Sequence, residues 1–172
     1  MERILISACL LGRPVRYDGR GKELRHDLIA RWQAEGRLVP VCPEVLAGFP
    51  TPRPPAEIES GRSGPDVLRG AARIREDKGR DVTEAFLEGA RAALRAVREE
   101  GCRFALLTDG SPSCGSTFIH DGSFGGLRKP GLGVVTALLQ DNGVNVFPES
   151  AIEELGKRLD RSESSGRASG PD

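Results

Sequence analysis

Four short apolar runs, most of them followed by a stretch rich in glycine and proline, set the limits on how this chain can fold. Ile4-Leu5-Ile6-Ser7-Ala8, Leu38-Val39-Pro40-Val41, Phe104-Ala105-Leu106-Leu107 and Val144-Asn145-Val146-Phe147 are too short for buried helices. Nearly continuous apolar runs of that length are the pattern of strands covered on both faces. Between them, apolar residues recur at helical spacing. Leu24, Leu28, Ile29 and Trp32 form one set, with Gly36 placed to end the helix. Phe86, Leu87, Ala90, Leu94 and Val97 form a second, opened by Asp81 or Thr83 and closed by Gly101. Residues 133–141 and 149–159 read as two more helices. This alternation predicts an α/β fold: a single three-layer α/β/α domain, Rossmann-like, with a mostly parallel sheet of about four to five strands.

The domain is assigned to residues 1–159, and the low-complexity residues 160–172 are expected to be a disordered tail. The stretch 43–64 is too rich in proline for regular structure inside a sheet, and part of it is expected to be a loop, either ordered over the sheet edge or flexible. Asp121-Gly122 is a hairpin signal. A length of 172 residues suits one domain with a real core and is marginal for two.

Lys plus Arg and Asp plus Glu both number 25, so no global field attracts nucleic acid or an anionic membrane. No apolar run is long enough to cross a bilayer, and the first residues lack a signal-peptide core. The expectation is a cytoplasmic, reducing setting with neither nucleic acid nor membrane as partner. Four cysteines spaced by 33, 60 and 12 residues are then free thiols, metal ligands or catalytic groups rather than a disulfide framework.

Their positions divide them. Cys9, Cys42 and Cys114 stand at or just past the ends of strand-like runs, whereas Cys102 precedes its run. In a parallel sheet the carboxyl ends lie on one edge, where ligands bind, so three thiols are expected at one site and Cys102 at the opposite edge. Each site loop also carries polar side chains: Arg16, Tyr17 and Asp18 after the first strand, Glu44 and Arg53 after the second, Ser111 and Ser113 after the third. A lone cysteine at a strand end is most often a small buried hydrophobe; three at one edge in polar loops point beyond that. Structural zinc prefers four ligands with a close Cys-x-x-Cys pair, which is missing here. An iron–sulfur cluster normally takes four cysteines, so three would leave one iron open to a substrate atom. A thiolate nucleophile is the remaining choice; it needs a base, and neither His26 nor His120 lies in a cysteine loop.

Ser7-Ala8-Cys9-Leu10-Leu11-Gly12 and Val15-Arg16-Tyr17-Asp18-Gly19 resemble the opening of a bacterial family long labelled a domain of unknown function. Cys42-Pro43-Glu44, Pro50-Thr51-Pro52-Arg53-Pro54-Pro55-Ala56-Glu57-Ile58, Ser111-Pro112-Ser113-Cys114-Gly115 and Gly131 to Leu139 are similar to its other signatures. The likeness covers roughly residues 1–148, and the family includes thiouracil desulfidases. It implies an oxygen-sensitive 4Fe–4S cluster on Cys9, Cys42 and Cys114, supplied by iron–sulfur assembly machinery. It further implies non-redox desulfuration of a thiolated pyrimidine to uracil and hydrosulfide, with the fourth iron binding the substrate sulfur. Glu44 and a serine, Ser111 before Ser113, are the implied acid/base residues. Arg16, Tyr17, Asp18 and Arg53 are expected to orient the ring. The alternative is a non-catalytic iron–sulfur or metal-binding module for sulfide or metal handling. One departure is Thr108-Asp109-Gly110, where the family often has a basic or polar pair before its Ser-Pro-Ser-Cys.

Overall fold

A computed structural model describes residues 1–167. In chain order the first half runs β1 (Ile4–Ser7), a 3₁₀ turn (Ala8–Leu11), α1 (Asp27–Ala34), β2 (Leu38–Val41), α2 (Pro43–Leu46), β3 (Ala56–Ile58), α3 (Gly64–Leu68) and β4 (Ile74–Glu76). The second half runs α4 (Thr83–Glu100), β5 (Phe104–Leu107), β6 (Phe118–His120), β7 (Arg128–Pro130), α5 (Val134–Asp141), β8 (Asn145–Pro148), a second 3₁₀ turn (Glu149–Ala151) and α6 (Ile152–Arg167).

The four strands read from the apolar runs form one parallel sheet in the order β2-β1-β5-β8. Side chains of successive residues leave opposite faces, and each face has its own core. Ile4, Ile6, Phe104 and Leu106 pack with Ile29 and Trp32 of α1 and with Ile152, Leu155 and Leu159 of α6. Leu5, Ala105 and Leu107 pack with Phe86, Ala90, Ala93 and Val97 of α4 and with Val134, Val135 and Leu139 of α5. Each large apolar side chain buried in these layers contributes about 1.5–3 kcal/mol of transfer free energy. The three-layer expectation holds, with four strands in the main sheet.

The chain runs from β1 out to β2, then crosses back past β1 to β5. Strand order therefore reverses between β1 and β5, and the crevice outside their carboxyl ends is the switch point where ligands bind in open α/β sheets. Thr108 seals this point by donating its N–H to Ser7 Oγ at 3.0 Å.

Three further expectations meet the structure in different ways. The proline-rich stretch holds a short helix, α2, with Pro43 at its first turn, and a strand, β3, which pairs antiparallel with β4; proline at a helix start loses no needed hydrogen bond. The hairpin expected at Asp121-Gly122 is present: β6 and β7 pair antiparallel across a seven-residue loop that opens with those two residues. The last helix runs on to Arg167 instead of giving way to a disordered tail at Asp160; residues 168–172 lie outside the described residues. Two polar residues of that extension have partners elsewhere in the fold: Glu163 pairs with the buried Arg37 at 2.9 Å, and Ser162 accepts from Arg103 at 2.7 Å. No helix among the described residues is long and apolar enough to cross a membrane.

Candidate functional site

A cavity of about 560 Å³ opens at the switch point, and Cys9, Cys42 and Cys114 all line it. Each thiol arrives on a different local device. Cys9 sits in the 3₁₀ turn that follows β1, and its carbonyl accepts the N–H groups of Gly12 and Lys22. Cys42 is the N-cap residue of α2. Cys114 is buried in the turn after β5, where its N–H donates to Ser111 Oγ at 3.2 Å and its carbonyl accepts from Thr136 Oγ1 at 2.9 Å. Cys102 lies outside the cavity, before β5 and within the apolar core.

Burial pushes the Cys9 thiol up to about 11, aided by Cys42 and Glu44 and opposed by Arg16 and Lys22. Burial and then the Glu44 carboxylate raise Cys42. Cys114 is raised well above the ordinary thiol range, first by burial, then by Glu44, Cys9 and Cys42. Burial, the Glu44 carboxylate and the neighbouring sulfurs all disfavour the thiolate forms, a balance that a bound cation would invert. Among the described residues no three His, Cys, Asp or Glu side chains close around one metal-ion position. The donor set is three soft sulfurs spread around a cavity.

Glu44 joins two of the site's segments. Its Oε1 accepts the Ser113 hydroxyl at 3.0 Å, and its Oε2 accepts a weak hydrogen bond from the Cys42 thiol at 3.6 Å. Ser113 is 1% exposed and lies beneath the carboxylate. Ser111 lines the cavity, and its Oγ accepts the N–H groups of Ser113 and Cys114. The two serines of the motif thus differ: one holds Glu44, the other holds the turn.

Arg16, Tyr17 and Arg53 line the cavity as well. Arg53 ties loops together, donating from Nη2 to the Val15 carbonyl at 2.9 Å and from its backbone N–H to the Tyr17 carbonyl at 2.8 Å. Asp18 does not line the cavity; its Oδ1 accepts the Arg20 N–H in its own turn. Asp109, the residue where the sequence departs from the family pattern, turns toward its own loop. Its carboxylate accepts the N–H groups of Ser116, Thr117 and Phe118 and the Thr117 hydroxyl. Burial works against its charge, but these hydrogen bonds prevail and hold the carboxyl below its usual range.

The β6–β7 hairpin also reaches the site, with Phe118, His120, Phe124 and Arg128 on the cavity wall. Sequence reasoning set His120 aside and missed Phe118, Phe124 and Arg128, because a three-residue strand is too short to show a period. The glycine-rich loop Asp121-Gly122-Ser123-Phe124-Gly125-Gly126-Leu127 was the available signal. His26 stays away, capping α1 through Nδ1, which accepts the Leu28 N–H at 3.1 Å.

Comparison with known proteins agrees in sequence and in fold. Residues 4–151 match the family model described as 2-thiouracil desulfurase. The protein YbbK of Bacillus subtilis (strain 168) is 42% identical over 152 residues, which is 88% of this chain and 99% of that protein. A solved structure described as the 4Fe-4S-dependent thiouracil desulfidase TudS superposes with a TM-score of 0.84 at 46% identity, covering 93% of this chain and 99% of that one.

Proposed function

This chain belongs to the 2-thiouracil desulfurase family, and from that premise we propose that it is an enzyme that removes sulfur from a thiolated uracil without net redox change. The observation that carries the proposal is the meeting of Cys9, Cys42, Cys114 and Glu44 at one cavity. Three thiolates suit an iron–sulfur cluster, since soft sulfur donors select such groups and their protons are lost on binding. Delivery then falls to cluster-assembly machinery. A 4Fe–4S cluster held by these three cysteines supplies an iron without a protein ligand, a Lewis acid for the thiocarbonyl sulfur.

Everything else falls to the chain's own residues. The reaction exchanges one bond for another: a water oxygen replaces sulfur at the ring carbon, and the sulfur leaves as hydrosulfide with a proton. Glu44 is the group to take the proton from the attacking water. When Cys42 serves as a ligand, its thiol no longer donates to Glu44 Oε2, and that oxygen is released for the water. Ser113 keeps its hydroxyl on Oε1 and so fixes the carboxylate's direction. Ser111, with its lone pairs engaged by two amides, retains an O–H to donate into the cavity. Arg16, Tyr17 and Arg53 bound the space in which the ring lies. Asp18, turned to its own loop, takes no part in the proposal.

The test is anaerobic purification, reconstitution with iron and sulfide, and assay of 2-thiouracil conversion to uracil and hydrosulfide. Cys9→Ala, Cys42→Ala and Cys114→Ala should each lose the visible iron–sulfur band, and Cys102→Ala should keep it. Glu44→Gln should keep the band and lower kcat by about 10²–10⁴-fold, the usual share of a general base. A protein that takes up no iron, or takes it up and leaves 2-thiouracil intact, overturns the reading.

A further inference from the structure

The β6–β7 hairpin brings two features to the cavity that neither the thiols nor Glu44 explain. The first is His120. Its ring lines the cavity, and its Nδ1 is buried without a hydrogen-bond partner. Leaving such a nitrogen unpaired costs about 1–3 kcal/mol, and a ring at the cavity wall can turn about its Cβ–Cγ bond to present that nitrogen to a ligand. Gly110 leaves room for the hairpin there, since a Cβ on it would stand 3.1 Å from the Phe118 ring.

The second is Phe124. It has φ +58°, a left-handed conformation shared among the described residues only with glycines. For a bulky residue this costs roughly 1–3 kcal/mol, and such strain clusters where function requires it. Gly122, Gly125 and Gly126 stand within two residues of it, yet the strained position carries a phenyl that lines the cavity. Glu57 on β3 maintains the conformation. Its buried carboxylate accepts the N–H groups of Gly122 at 3.0 Å and Phe124 at 3.3 Å. Gly122 lies so close to β3 that a Cβ would be 2.6 Å from the Ile58 carbonyl oxygen. The loop is clamped from beneath while its aromatic side chain faces the cavity.

We propose that this hairpin reads the substrate ring: His120 Nδ1 hydrogen-bonds a polar ring edge, Phe124 packs on the ring face, and Glu57 is the positioning residue for Phe124. The assignment rests on the desulfidase reading and adds which residues recognise the ring: the hairpin would select the planar base over an acyclic thiourea.

Steady-state kinetics of the cluster-loaded protein test it, with 2-thiouracil and with thiourea as substrates. His120→Phe keeps a ring in place and removes the nitrogens; it should raise KM for 2-thiouracil roughly tenfold, the value of one hydrogen bond, with kcat and the visible band little changed. His120→Gln should restore part of the loss. Phe124→Leu should raise KM on the order of tenfold through lost stacking, and Phe124→Tyr should recover it. Glu57→Ala should act on KM like Phe124→Leu, and Glu57→Gln, which keeps an acceptor oxygen, should rescue it. Wild-type turnover with an unchanged KM in either His120→Phe or Phe124→Leu overturns the hairpin assignment alone. Turnover of thiourea as efficient as that of 2-thiouracil also overturns it. A wild-type protein inactive on 2-thiouracil overturns the desulfidase reading and this assignment with it.

Discussion

Glu44 is where separate parts of the chain become one site. Its two oxygens contact groups two and sixty-nine residues away, and only the nearer of these is visible in the motif Cys42-Pro43-Glu44. That distance explains why the serines of Ser111-Pro112-Ser113-Cys114 could be placed in the site but not told apart: their roles depend on which hydroxyl meets a residue from another loop. The structure gives them separable consequences. Ser113→Ala removes the hydroxyl that orients Glu44, so kcat should fall about tenfold, the value of one hydrogen bond, while iron content stays at the wild-type level. Ser111→Ala leaves two backbone N–H groups in the Cys114 turn without their acceptor, at about 1–3 kcal/mol for each that is not reached by water. That variant should bind less iron per chain and melt at a lower temperature. Iron analysis alongside kcat separates the two. Asp109 carries a related lesson. An acidic residue beside the site invites a role in substrate choice, yet four donors from residues 116 to 118 occupy its carboxylate.

Among the elements, α5 and the cysteine loop are joined more closely than side chains would allow. Gly133, the N-cap of α5, has an ordinary φ of −71°, so conformation alone does not require glycine there. Contact does: a Cβ would stand 2.2 Å from the Ser113 carbonyl oxygen. Gly89 serves α4 in the same way, with a Cβ placed 2.6 Å from the Pro43 carbonyl oxygen. Helix α4 therefore abuts the Cys42–Glu44 segment, and α5 abuts the Cys114 segment. Gly133→Ala should lower stability by about 1–3 kcal/mol, as overpacking does, and should reduce cluster occupancy by displacing Cys114. Thermal melting and iron content read both effects; a variant with wild-type values for each would show that the approach has slack. The helices α1, α4 and α5 were legible because their apolar positions repeat often enough to reveal a period, and β1, β2, β5 and β8 because each is a short, nearly continuous apolar run. Short ones were hidden. β3, β4, β6 and β7 have three residues each, and Arg128-Lys129-Pro130 has no strand character of its own; its place comes from pairing with Phe118-Ile119-His120.

At the scale of the whole molecule, the carboxyl-terminal helix is part of the scaffold. Composition made residues 160–167 look dispensable, because Arg161-Ser162-Glu163-Ser164-Ser165 offers little to bury. Arg37 explains the helix: its guanidinium is buried, bonds the Glu2 carbonyl at 2.8 Å, and takes Glu35 and Glu163 as ion-pair partners. A chain truncated after Leu159 loses Glu163 and leaves that cation one carboxylate short, so it should be less stable by about 1–3 kcal/mol. Urea unfolding of the truncated and full-length proteins measures this, and equal midpoints would assign the helix end no structural part. The sheet topology has a further consequence for the life of the protein. Its three sulfurs come from segments 33 and 72 residues apart, yet each segment is tied by bonds that involve no metal: the Cys9 carbonyl to Lys22, the Cys42 carbonyl to Leu46, the Asp109 and Ser111 turns. The entropy of gathering them is spent as the chain folds and not when the cofactor enters. Under the proposed function, cofactor binding would then owe little of its free energy to ordering these loops.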